Sequence, residues 1–122
     1  MNFYFKNYFT STDYNKKIKL DIAYIKRELL AEQKTRDGRN RKLYIKFSRI
    51  LNGVTVIDLT KEKYIEYWKG QYIRHPEMFK QIEKTIEEKF ENGLISKEKM
   101  IQLIKQGNDS EQEKKQNLKL LM

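Results

Sequence analysis

Apolar positions along this 122-residue chain change period several times. Between Asp13 and Lys34, Ile18, Ile22, Ile25 and Leu29 recur at i, i+4, i+7 and i+11, which is one face of a helix, and Asp13 is placed to cap it. Ile18, Leu20, Ile22 and Tyr24 also alternate as a strand would. The helical period takes in Leu29 and Ala31 as well, and the run is long for a strand, so the pattern predicts a helix over 13–34. Beyond it, Asp37-Gly38 is a turn or helix-stop signal. Two β-prone runs follow, 43–51 and 54–59, joined by Asn52-Gly53. Asn and Gly both tolerate the positive φ that a type I′ turn demands, so this stretch predicts a β-hairpin.

The rest of the chain switches to helical spacing. Thr60 can cap a helix running through Tyr64, Ile65 and Trp68 to Tyr72. His75-Pro76 interrupts it, and proline suits the first turn of the next helix. Phe79, Ile82, Ile86 and Phe90 form the apolar stripe of that helix, and Asn92-Gly93 ends it. Ser96 restarts a shorter one through Met100, Ile101, Leu103 and Ile104 to Gly107. Ser110-Glu111-Gln112-Glu113 has the spacing of a capping box and predicts a last helix into Leu118, Leu120 and Leu121. The expected fold class is α+β. An N-terminal helix and the Asn-Gly hairpin pack with three or four C-terminal helices, in one domain over 1–107 with a helical tail over 108–122. The opening, Phe3 to Tyr14, holds six aromatics; Phe3, Tyr4 and Phe5 alternate as in a short strand or extended arm and offer a third strand. Water would not hold so many rings, so Tyr4, Tyr8 and Phe9 are expected to pack on the domain or on a partner.

Charge divides the chain. The formal net charge is +9. Residues 1–61 carry 14 Lys/Arg against 6 Asp/Glu, and residues 62–122 carry 12 against 11, so nearly all the excess lies in the first half. Such a field attracts anions. Abundant Lys, Ile, Asn and Glu also arise passively in AT-rich genomes, so the asymmetry tells more than the total. The sharpest concentration is Lys34, Arg36, Arg39, Arg41 and Lys42, with three arginines within six residues around a turn. Guanidinium forks bind phosphates and carboxylates bidentately, and lysines add point charge. Lys46 and Arg49 extend the patch if their strand faces allow. The same run also serves as an ordinary solvated loop. Tyr64, Tyr67, Trp68 and Tyr72 cluster on one predicted helix; such rings stack bases in some proteins but more often fill a core.

Chemistry is thinly provided. There is no cysteine, hence no disulfide, thiolate nucleophile or cysteine metal site, which fits a reducing compartment. His75 is the only histidine and precedes Pro76, where capping or turn formation suits it better than catalysis. Glu28 and Glu32 fall at i, i+4 on the predicted helix with Asp21 nearby, a set that could hold a hard cation but more often pairs with neighbouring Lys and Arg. Asp21 and Glu32-Gln33-Lys34 loosely match the D…ExK pattern of metal-dependent nucleases. That pattern wants strands, and Glu87-Glu88-Lys89 shows how readily it recurs by chance here. No Gly-rich phosphate loop, nucleophile elbow or zinc spacing is present, so neither catalysis nor a metal or other cofactor is expected.

The stretch Glu91-Asn92-Gly93-Leu94-Ile95-Ser96-Lys97-Glu98-Lys99-Met100, within 79–106, resembles the short C-terminal helical-hairpin module called SHOCT. Lys97 and Lys99 stand where that family is often acidic, and Met100 replaces its usual Phe. The resemblance covers less than a third of the chain and implies association or tethering rather than chemistry; it carries over no functional residue.

No apolar run approaches the roughly 18 residues of a membrane span, and the start lacks a basic n-region followed by an apolar h-region. A cytoplasmic protein is expected. The reading that follows is a small, basic, non-enzymatic protein that contacts nucleic acid, DNA or RNA, or a nucleoprotein complex through the basic loop. An alternative is an inhibitory protein of a phage or mobile element that blocks a host nucleoprotein by protein–protein binding, as anti-CRISPR proteins do. A third is a self-associating scaffold. The apolar tail, Leu118 to Met122, is expected to dock on its own domain, on a second copy or on a partner.

Overall fold

The computed structural model describes residues 11–122. The aromatic opening, with Tyr4, Tyr8, Phe9 and the third strand expected from it, lies outside the described residues. The elements are α1 (Ser11–Arg27), β1 (Leu29–Arg36), β2 (Lys42–Ser48), β3 (Gly53–Leu59), α2 (Lys61–Gln71), α3 (Pro76–Asn92), α4 (Lys97–Gln106) and α5 (Glu111–Lys119). The fold is α+β, as the alternation of periods predicts.

The first helix is shorter than expected. Helix α1 buries Ile18 and Ile25, and carries Lys26 and Arg27 in its last turn, where cations oppose the negative end of the dipole. It stops there, and Leu29 and Ala31, which the helical period claimed, lie on strand β1. Leu29, Leu30 and Ala31 are buried in succession because both faces of this strand are covered. A doubly covered strand shows no alternation, so its apolar run merges with the helical stripe before it.

The three strands form an antiparallel sheet in the order β1-β2-β3. On one face Leu30 and Tyr44 join Ile18, Ile25, Trp68, Ile82 and Ile86 from α1, α2 and α3. On the other, Leu29, Ala31, Ile45 and Phe47 meet Met100 and Ile104 of α4, with Leu121 beyond α5. The sheet is thus the middle of three layers. The edge of β1 is closed by two backbone bonds: Ile95 N donates to Leu30 O (2.9 Å) and Lys34 N to Leu120 O (2.7 Å). The chain end is therefore held against the strand that carries the basic run.

The Asn-Gly hairpin forms, but not through a two-residue turn. Ser48 pairs with Gly53, and the connection is Arg49–Asn52, with Asn52 alone at positive φ (54°). Gly53 opens β3 instead. A Cβ there would collide with Asp109 Oδ1, and the same carboxylate accepts Val54 N at 2.9 Å. Gly107, at the end of α4, meets the turn from the other side: a Cβ would lie 2.7 Å from Asn52 O. Three helix caps follow the sequence, whereas Asp13, expected to cap α1, lies within its first turn. Thr60, Ser96 and Ser110 each accept a backbone N–H three residues on. His75 starts α3 without a side-chain cap bond, its ring tilted 41° against that of Tyr14 at a centroid distance of 3.8 Å.

Candidate nucleic-acid interface

The basic run forms the tip of the β1–β2 hairpin, and one carboxylate builds it. Asp37 Oδ1 accepts the backbone N–H of Arg39 (2.9 Å) and of Arg41 (2.8 Å), while Oδ2 accepts Arg41 Nε (2.8 Å). Asn40 sits at φ 62°, and its N–H donates to Asp37 O (2.9 Å). The Arg41 backbone N–H beside Asp37 holds its carboxyl below the usual range, against an upward pull from desolvation and with further help from the Arg41 guanidinium and the Arg39 backbone N–H. Asx turns of this kind preset a loop's shape. Arg36 Nη1 braces the turn by donating to Asn40 O (3.2 Å).

The five cations of the tip differ in what they retain for a ligand. Arg41 is committed to Asp37 and lies 4.0 Å from Glu62, and Lys42 lies 3.9 Å from Glu32. Lys34, Arg36 and Arg39 are exposed and make no ion pair among the described residues. Three cations without an ion pair among the described residues therefore stand at this end of the hairpin, Lys34 and Arg36 on β1 and Arg39 on the hydrogen-bonded turn.

Lys46 and Arg49 do not join them. Lys46 turns inward and pairs with Glu28 Oε2 at 2.5 Å. The other oxygen of Glu28 accepts the Tyr64 hydroxyl, and its backbone carbonyl accepts Lys89 Nζ. Burial pulls the Lys46 ammonium down, but the hydrogen bond and charge of Glu28 outweigh it and leave Lys46 raised; burial leaves Lys89 lowered; burial and Glu28 push Tyr64 well up. Arg49 lies in the β2–β3 turn, seven residues along from Lys42, hence about 23 Å from the tip at the rise of a strand.

Of the four clustered rings, Tyr64, Trp68 and Tyr72 are buried, and the Tyr72 hydroxyl donates to Asp21 Oδ2 at 2.6 Å. Only Tyr67 is open, at 61 % exposure, edge-on to Trp68. It faces a groove that sequence reasoning missed, between α1, α2 and β3, to which Leu20 and Tyr24 also contribute. A signal was available: Leu20 and Tyr24 fall off the Ile18/Ile22/Ile25 stripe of α1, so both had to lie on its outer side.

The acidic residues do not converge. Asp21 stays on α1 with Lys17 (2.6 Å), Glu28 is engaged by Lys46 and Tyr64, and Glu32 faces Lys42. Glu32-Gln33-Lys34 does lie on a strand, but Gln33 is buried and bonded to Asp58, 2.9 Å from Nε2 to Oδ1. Among the described residues no three His, Cys, Asp or Glu side chains are grouped to hold a metal ion, and no helix is long and apolar enough to cross a membrane. No protein-family model, curated protein or solved structure matches the chain.

Proposed function

We propose that this chain is a non-enzymatic, cytoplasmic nucleic-acid-binding protein that meets the phosphate backbone with the tip of its β1–β2 hairpin. The observation that carries the reading is this end of the hairpin: Lys34 and Arg36 on β1 and Arg39 on the turn stand exposed, without an ion pair among the described residues, beside a turn whose one acid, Asp37, is engaged in holding it. A turn whose backbone is already held by Asp37 leaves less of the chain to be ordered when its guanidinium groups meet phosphate. The charge excess of the N-terminal half supplies long-range attraction of the same sign. Contacts of this kind position a protein on a backbone without reading bases, so weak sequence preference and steep salt dependence are expected.

The test is a mobility-shift titration of the full chain with duplex and single-stranded oligonucleotides across a salt series. Lys34→Ala/Arg36→Ala/Arg39→Ala should weaken binding at every salt concentration. It should also flatten the log–log salt slope by about 2–3, since each phosphate that a cation neutralises on duplex adds near 0.9 to it. Equal affinity and equal slope for wild type and variant would overturn the reading, as would no binding by wild type at low salt.

A second reading, inhibition of a nucleoprotein by protein–protein contact, is favoured by one observation. Ile50 and Leu51 project from the β2–β3 turn, Ile50 at 96 % exposure. A pull-down from bacterial lysate with and without nuclease separates the two readings: a partner retained after nuclease supports the second.

A further inference from the structure

The groove beside α1 continues past Glu28 and Lys46 to the β2–β3 turn. Its first part, about 680 Å³, lies against Leu20, Tyr24 and Tyr67; its second, about 660 Å³, lies against Arg49, Ile50 and Leu51. Tyr24, Arg27, Glu28 and Lys46 line both, so the two parts form one surface. Leu20 is 70 % exposed and Leu51 68 %. Large apolar side chains gathered along one trough mark an interaction site more often than scattered ones do.

Charge in the groove is unbalanced. Its acids are engaged: Asp21 by Lys17 and the Tyr72 hydroxyl, Glu28 by Lys46 and Tyr64. Arg27, Arg49 and Lys63 line it and make no ion pair among the described residues. An occupant must therefore offer apolar groups to Leu20, Tyr24, Ile50 and Leu51, and negative charge to the three cations. Nucleic acid supplies the charge and its bases have Tyr24 and Tyr67 to stack on, but it leaves the aliphatic Leu20, Ile50 and Leu51 uncovered. A protein segment with apolar residues on one side and carboxylates on the other answers both demands.

We propose that the groove between α1, α2 and the β2–β3 turn docks an acidic amphipathic helix of a protein partner, with Arg27, Arg49 and Lys63 pairing its carboxylates. This surface is separate from the hairpin tip, and each can fail without the other.

The probe is a displayed library of random peptides about 16 residues long, some four helical turns, panned on the full chain and read by fluorescence anisotropy. Selected peptides should carry Asp or Glu together with Leu, Ile, Phe or Met at i, i+3, i+4 and i+7. They should lose about tenfold or more in affinity on Arg27→Glu/Arg49→Glu, where like charges now meet. Ile50→Ser/Leu51→Ser should cost a similar factor. Both side chains of that second variant are exposed, so its thermal unfolding should match wild type and show that the fold is intact. Lys34→Ala/Arg36→Ala/Arg39→Ala should leave peptide binding unchanged while it lowers oligonucleotide binding.

No enrichment, enrichment of basic or charge-indifferent peptides, or binding insensitive to both groove variants overturns the proposal. So does a single-stranded oligonucleotide that displaces the peptides and fails on the same groove variants, which would make the groove a nucleic-acid site. Sedimentation of wild type as a dimer that Ile50→Ser/Leu51→Ser dissociates would assign the groove to a second copy. A rise of about tenfold in peptide affinity on Phe3→Ser/Phe5→Ser/Phe9→Ser would assign it to the chain's own opening segment.

Discussion

A carboxylate taken out of water needs a counter-charge and hydrogen-bond donors, and Glu28 finds both. Its side chain meets Lys46 and the Tyr64 hydroxyl, and its carbonyl meets the Lys89 ammonium, so one residue ties the end of α1 to β2, α2 and α3. Removing one partner of such a pair leaves the other charge stranded. Glu28→Ala is expected to cost about 2–3 kcal/mol in urea-induced unfolding, below the roughly 3–5 kcal/mol of a fully buried pair because the Lys46 side chain keeps 23 % of its surface open. Replacing both partners by apolar residues removes the stranded charge, and Glu28→Leu/Lys46→Met should recover most of the loss. A double variant no more stable than Glu28→Ala would mean that packing, not charge, holds this junction. None of this could be read from residue type alone. Glu28 and Lys46 are 18 positions apart, and only the sharp passage from α1 into β1 brings them together.

At the scale of elements, the two hairpin turns differ in what shapes them. Asp37 organises the first, so Asp37→Ala sets two effects against each other in the oligonucleotide assay. It raises the charge of the tip by one, which by attraction alone would tighten binding. It also frees the turn, so that arginines must be ordered at the moment of binding, at about 0.5–1.5 kcal/mol for each immobilised side chain. Weaker binding by Asp37→Ala than by wild type is expected; tighter binding would show that net charge matters and turn shape does not. In the second hairpin, Asn52 takes the positive φ and Gly53 makes room for Asp109. Gly107→Ala would drive a methyl into Asn52 O and is expected to destabilise the fold by about 1–3 kcal/mol in thermal unfolding, as overpacking does. The Asn-Gly pair announced a hairpin correctly, because both residues favour tight turns. It misassigned the turn because the space that Gly53 leaves is filled by a residue 56 positions away. Helix starts at Thr60, Ser96 and Ser110 were legible because a cap is a local bond over three residues. Strand β1 was not, because two layers of helices bury it on both faces and erase its alternation. The basic run was legible as composition; which of its cations remain unpaired depends on Glu32 and Glu62, acids that no local pattern connects to it.

For the whole molecule, the same burial that builds the core fixes its response to alkali. Burial pushes Tyr44, Tyr64 and Tyr72 above the ordinary 10.0, with Glu28 adding to the rise at Tyr64 and Asp21 at Tyr72. An acid raised in the folded chain keeps its proton after the unfolded chain has lost it, so folding loses ground as pH climbs past about 10. Lys46, raised by Glu28 against the pull of burial, acts in the same direction: its contribution is complete below the ordinary 10.5 and is lost above it. Lys89 opposes them. Burial lowers it, so the folded chain sheds that proton first and stability gains as pH approaches 10.5. Three tyrosines and one lysine outweigh one lysine, and unfolding free energy should be level through neutral pH and then fall above about pH 10. Each proton of difference between the states contributes a slope of about 1.4 kcal/mol per pH unit. Urea titrations between neutral pH and about pH 11 measure the fall. Tyr72→Phe removes one of the protons, so its profile should descend less steeply than wild type above pH 10, even if its stability at neutral pH is lower for want of the bond to Asp21. Parallel profiles for the two proteins would mean that Tyr72 ionises alike in both states and that its closure into the core is looser than its hydroxyl's hold on Asp21 implies.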